Sequence, residues 1–161
     1  MKLKLLWILP FLTFALYGND VVEQKRLPLN ILLEKVLPLK SLAIKVGTGK
    51  HDIYAFIDPF CPKSQNFIEM INDMKVLQKK YTYHLFFYEL KRFNSHETIE
   101  AIYESKNPLE TLQLVMLKKA KPILKNKTTI ETQKTMNQIS SVAKEINVYK
   151  RPYLIVHKKG K

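Results

Sequence analysis

A mixed α/β fold built around a parallel strand, helix, strand unit is predicted by three observations. Ile53-Tyr54-Ala55-Phe56-Ile57 is an unbroken apolar run of the kind that strands buried on both faces carry. Phe67, Ile68, Met70, Ile71, Met74 and Leu77 recur at three- and four-residue intervals, the mark of a helix with one core face. Thr82 to Tyr88 is rich in aromatic and apolar side chains and reads as a second buried strand. Parallel strands need a crossover connection, and the intervening helix supplies it.

In chain order, Met1 to Asn19 joins basic Lys2 and Lys4 to an apolar run, Leu5 to Leu16, and then to small or polar Gly18, Asn19 and Asp20. That is the pattern of a secretory signal, with cleavage expected between Ala15 and Asn19. The apolar run is shorter than the ~20 residues a helix needs to span a bilayer, and an uncleaved anchor is the alternative. The expected division is a signal peptide at 1–19, an N-terminal linker or helical segment at 20–41, and one domain at 42–161.

Lysine and arginine number 27 against 14 acidic residues, a formal charge of +13. A basic chain invites a nucleic-acid reading, but no nucleic-acid motif is present and the lysines fall on the solvated faces of amphipathic stretches, so no nucleic-acid partner is expected. Solubility and attraction to anionic surfaces or acidic partners account for the charge.

The chain has a single cysteine, Cys61, which in an oxidising compartment cannot close an internal disulfide. It is either an inert core residue or a free thiol with a task. Asp58-Pro59 ends the first strand, and Pro62 suits the first helical position, where a missing N–H costs nothing. Cys61 then occupies the helix N-cap, where unpaired N–H groups and the helix dipole favour thiolate over thiol. Strand, Cys-Pro, helix is thus a sensible site for a reactive cysteine.

Three helices are expected between about Ser95 and Ile146, with N-terminal signals at Asn94 with Glu97, Asn107 with Pro108 and Glu110, and Thr128 with Glu131. A last strand follows at Tyr153-Leu154-Ile155-Val156, preceded by Arg151-Pro152, and Lys158-Lys159-Gly160 reads as a turn.

From about Leu42 to Lys161 the chain resembles the catalytic domain of the DsbC and DsbG thiol-disulfide interchange proteins of the thioredoxin-like superfamily. The matching pieces are Ala43-Ile44-Lys45-Val46 before a short hairpin turn, Phe56 through Cys61-Pro62-Lys63-Ser64, the second strand, a helical insertion at about 95–146, and Val148 to Val156 around Arg151-Pro152. The resemblance implies a thioredoxin-like fold, a periplasmic location, and protein substrates bearing thiols or disulfides. It implies Cys61 as the attacking thiol, Ser64 in place of the resolving cysteine, and Pro152 as a cis proline lining the peptide-binding edge. Arg151, the residue before that proline, is expected beside the sulfur with the substrate. Lys63 and Arg151 would then flank Cys61 and favour its ionised form.

Two departures from the family pattern matter. Ser64 has no thiol with which to expel a substrate from a mixed disulfide, so a complete two-electron step within one site is excluded while isomerisation is not. The family's final strand and helix are also missing after the turn, so the strand at Tyr153 is expected to form an edge. A truncated gene or fragment, completion of the sheet by a partner or second copy, and filling of the gap by the apolar N-terminal stretch Leu27 to Leu37 are the open alternatives. A membrane partner that recycles Cys61 and a homodimer are further expectations.

His51, His84, His96 and His157 show no metal-ligand spacing, and neither a metal nor a cofactor is expected. Glu89, at the end of the second strand, is a minor candidate for proton transfer. Two function classes follow: a periplasmic disulfide isomerase-like or mixed-disulfide protein using one nucleophilic cysteine, or a non-catalytic thioredoxin-fold module that binds peptide or acts as a chaperone.

Overall fold

The computed structural model describes residues 26–122 and 127–159, so the signal segment expected at 1–19 lies outside the described residues. Strands β1 (Ile44–Val46), β2 (His51–Ile57), β3 (Tyr81–Phe87) and β4 (Tyr153–His157) form one sheet in the order β1-β3-β2-β4. β2 and β3 run parallel, while β1 and β4 are antiparallel to their neighbours. All but the first residue of β2 and of β3 is buried, which is why both read as near-continuous apolar runs.

Helices cover both faces. Ala55, Ile57, Leu85 and Phe87 pack against α2 (Pro62–Asp73), α4 (His96–Tyr103) and α5 (Pro108–Lys118). Tyr54, Phe56, Phe86, Tyr153 and Ile155 pack against α1 (Leu29–Val36) and α6 (Ile130–Glu145). The helix expected from Phe67 to Leu77 is broken at Met74, whose non-helical backbone (φ −92°, ψ 80°) separates α2 from α3 (Lys75–Lys80).

Three helices lie between Ser95 and Ile146 as the periodicity predicts, but two starts shift. Asn94 is not the cap of α4: it takes the left-handed conformation (φ 47°) and Ser95 occupies the cap position. Thr129, not Thr128, caps α6 by accepting from the Thr132 N–H at 3.2 Å. Asn107 caps α5 as its sequence indicates, accepting from Glu110 N–H.

The hairpin expected after Val46 is not formed. Both edges of β2 are taken, by β3 and β4, so β1 pairs instead with the outer side of β3, Ile44 opposite Leu85. Gly47 makes the turn at φ 85°, where a Cβ would stand 2.5 Å from Tyr81 O.

β4 pairs with β2 on one side, and among the described residues no strand lies on its other. The N-terminal segment partly fills this region. Arg26 donates to Leu154 O and lies 4.8 Å from the centre of the Tyr153 ring, and α1 buries Leu32 and Val36 beside Ile155. Val156 stays 39 % exposed. Among the described residues no helix is long and apolar enough to cross a membrane.

A polar cluster lies where β2 begins. Buried Asp52 contacts His84 Nε2 at 2.8 Å, Lys159 at 2.9 Å and Lys40 at 3.4 Å. Burial opposes ionisation of Asp52, but His84, Lys159 and Lys40 outweigh it and hold the carboxyl down at about 2. Burial also lowers His84 despite the Asp52 hydrogen bond, so the ring is a neutral donor at pH 7. Both shifts have the same sign: the unfolded chain takes up protons first, so stability falls as the pH drops below the unfolded histidine value and again towards the Asp52 value. Asp52→Asn is expected to cost about 2 kcal/mol at pH 7 and to flatten the acid limb between about pH 4 and 2, measured by urea unfolding across pH.

Candidate active site

The turn after β2 is built around Asp58. Its carboxylate, fully buried, accepts from Phe60 N–H at 2.8 Å, Leu90 N–H at 2.6 Å and Ser95 Oγ–H at 2.9 Å. One side chain therefore ties the turn leaving β2 to the segment leaving β3. Within that turn Cys61 N–H bonds Asp58 O at 3.2 Å, and Gln65 N–H bonds Cys61 O at 3.0 Å to open α2.

Cys61 is the N-cap of α2 with an extended backbone (φ −74°, ψ 118°), and Pro62 takes the first helical position. Its side chain is 3 % exposed, and its thiol donates to the carbonyl oxygen of Arg151 at 3.7 Å. The Arg151–Pro152 peptide bond is cis. Ser64, fully buried one turn along α2, accepts from Asp58 N–H at 3.3 Å. The structure thus gathers Cys61, Ser64 and the Arg151–Pro152 loop at the C-terminal end of β2, the end at which α/β sheets form their sites.

Arg151 touches the sulfur differently from the sequence expectation. Its carbonyl, not its guanidinium, meets Cys61. The guanidinium turns inward and donates to Tyr88 O at 2.7 Å, Val148 O at 3.0 Å, Lys150 O at 3.1 Å and Glu89 O at 3.2 Å. It also lies 4.1 Å from the centre of the Tyr88 ring. Burial lowers this arginine from its ordinary value, while Tyr88, Asp58 and Cys61 act in the opposite sense. The side chain's main work is to clamp the end of β3 to the cis-proline loop.

Lys63 lies on the exposed side of the first turn of α2. The Glu89 carboxylate sits 3.8 Å from His96 Nδ1, while its main-chain oxygen serves Arg151. Asp58, Tyr88 and Ser95 help to build the candidate site without standing out as site residues in the sequence. Asp58 could have been found, since a carboxylate directly after a buried strand and before a helix start needs partners, whereas Tyr88 and Ser95 give no local signal.

No protein-family model and no curated protein matches the sequence. Solved structures do match. ScsC of Proteus mirabilis in a compact conformation superposes with a TM-score of 0.64 at 14 % identity, covering 80 % of this chain and 76 % of that one. The fold is thioredoxin-like. The catalytic domain of the same Proteus protein gives a TM-score of 0.58 at 12 % identity over 78 % of this chain and 85 % of that one. The thiol-disulfide exchange protein α-DsbA2 of Wolbachia pipientis gives 0.50 at 13 % identity over 80 % and 86 %. In a thioredoxin-like frame, β2, α2 and β3 are the central parallel unit, and β4 is the antiparallel strand that the cis proline precedes.

Proposed function

We propose that this protein is a periplasmic thiol-disulfide interchange protein of disulfide-isomerase type, acting on protein substrates through the single nucleophile Cys61. The observation that carries this reading is the placement of a lone thiol at the N-cap of α2, 3.7 Å from the carbonyl of Arg151 in the cis-proline loop. Structural neighbours that include ScsC and a thiol-disulfide exchange protein support the same chemistry.

The reaction balances without an outside oxidant or reductant. The Cys61 thiolate attacks one sulfur of a substrate disulfide. A Cys61–substrate S–S bond forms as the substrate bond breaks, and the released substrate sulfur leaves with the electron pair and takes up a proton. A second substrate thiolate then attacks the mixed disulfide, closes a new substrate disulfide and frees Cys61. Ser64, lacking a thiol, takes no part in the exchange. It holds the turn through Asp58 N–H.

The test is recovery of activity by a scrambled, disulfide-bonded substrate with catalytic thiol present: the natural protein accelerates recovery and Cys61→Ala does not. Equal rates for the two proteins would overturn the reading. Ser64→Cys gives a second expected outcome. Its thiol would stand one helical turn from Cys61, so oxidation should remove both thiols as an internal disulfide, and mixed disulfides should no longer accumulate. Thiol titration with mass spectrometry reads both.

The burial of Cys61 favours a second reading, a thioredoxin-fold module that binds extended peptide or acts as a chaperone while its cysteine stays unreacted. Peptide binding unchanged in Cys61→Ala, with no isomerisation by the natural protein, would select it.

A further inference from the structure

We infer that the rim around Cys61 selects extended acidic polypeptide segments, which deepens the proposed function by naming the class of substrate its site takes. Three exposed lysines from three separate segments are each linked to the Cys61 turn. Lys63 stands on the first turn of α2. Lys119 ends α5 in the left-handed conformation (φ 57°), and its ammonium reaches Gln65 Oε1; Gln65 in turn donates to Pro59 O at 2.8 Å, which ties this cation to the Cys61 turn. Lys150 directly precedes Arg151, whose carbonyl meets the sulfur, and lies 5.4 Å from the centre of the Tyr149 ring.

No acidic side chain offsets these cations within the same segments: 59–66, 118–122 and 148–152 contain no Asp or Glu. The carboxylate next in sequence, Asp58, is fully buried and engaged by three donors. Two exposed aromatic residues, Phe60 at 36 % and Tyr149 at 47 %, belong to the two loops that meet at Cys61. Rings beside a thiol, with cations around them, match an extended peptide that carries a cysteine and flanking carboxylates. A membrane surface fits less well, because among the described residues Phe60 and Tyr149 are the only large exposed hydrophobic side chains in these segments.

Each exposed lysine–carboxylate pair contributes little on its own, and salt screens it over about 8 Å at physiological ionic strength. Three together are expected to give about tenfold selectivity at low salt. The experiment is a fluorescence-anisotropy titration of the Cys61→Ser protein with two labelled peptides, identical except for Glu or Lys at the charged positions. The Glu peptide should bind about tenfold more tightly at low salt, and the difference should collapse near 0.5 M salt. Combined Lys63→Glu, Lys119→Glu and Lys150→Glu should reverse the preference. If that variant fails to fold by circular dichroism, Lys63→Glu and Lys150→Glu alone should each reduce the preference.

Equal binding of the two peptides, or a preference that the lysine variants leave unchanged, overturns the inference. So does binding to phosphatidylglycerol vesicles without binding to the Glu peptide. Because the tested protein has no thiol, its result does not depend on whether Cys61 reacts, and a failure of the thiol chemistry is read separately from the natural protein.

Discussion

Arg151→Met is expected to lower folding stability by roughly 3 kcal/mol, the effect of removing one member of a buried polar network. Methionine keeps the apolar stem and approximate length but leaves the carbonyls of Tyr88, Glu89, Val148 and Lys150 without the donors they have now. For a chain of this size that corresponds to a fall in melting temperature of roughly 6–12 °C. Arg151→Lys should be intermediate, since an ammonium keeps the charge but cannot reach carbonyls spread around a planar fork. A functional signature should accompany the loss. With the loop unclamped, the Arg151 carbonyl no longer stays against Cys61, and alkylation of Cys61 under native conditions should become several-fold faster. Unchanged stability and unchanged alkylation would show that the clamp does not hold the loop.

Asp58→Ala is expected to cost a similar amount, about 3 kcal/mol, through a different route. Two backbone N–H groups, of Phe60 and Leu90, and the Ser95 hydroxyl lose their shared acceptor. Asp58→Asn should be little better, because its amide nitrogen must face one of the donors that an ionised carboxylate accepts on both oxygens. Urea unfolding should show a lower midpoint at constant slope, the sign of lost stability without a change in the surface exposed. A midpoint within error of the natural protein would mean that water replaces the carboxylate at no cost.

The central architecture was legible in the sequence because burial writes itself into composition. β2 and β3 are buried on both faces, so Ile53 to Ile57 and Thr82 to Tyr88 carry little polar interruption. Cys61 at the start of α2 could be placed from Asp58-Pro59 and Pro62 alone, and Asn107 with Glu110 fixed the start of α5. Three of the failures share a cause: each depends on contacts between segments distant in sequence. β1 looks like the first half of a hairpin locally, and only the occupation of both edges of β2 sends it to β3. Asn94 has cap chemistry, but Ser95 takes the cap position, and its hydroxyl is bound to Asp58, 37 residues away in sequence. Arg151 could be put near Cys61 from its place before Pro152, yet the direction of its guanidinium is set by carbonyls at Tyr88 and Glu89 that no spacing rule connects to it.

The measurement that tests the account most directly is trapping of a mixed disulfide on Cys61. The purified protein is incubated with a scrambled disulfide-bonded substrate, quenched with acid and alkylating agent, and weighed intact. The account predicts a covalent adduct of protein plus substrate, reversed by reductant, absent in Cys61→Ala, and transient in Ser64→Cys. A natural protein that stays folded and unadducted throughout, with Cys61 recovered as the free thiol, would contradict it.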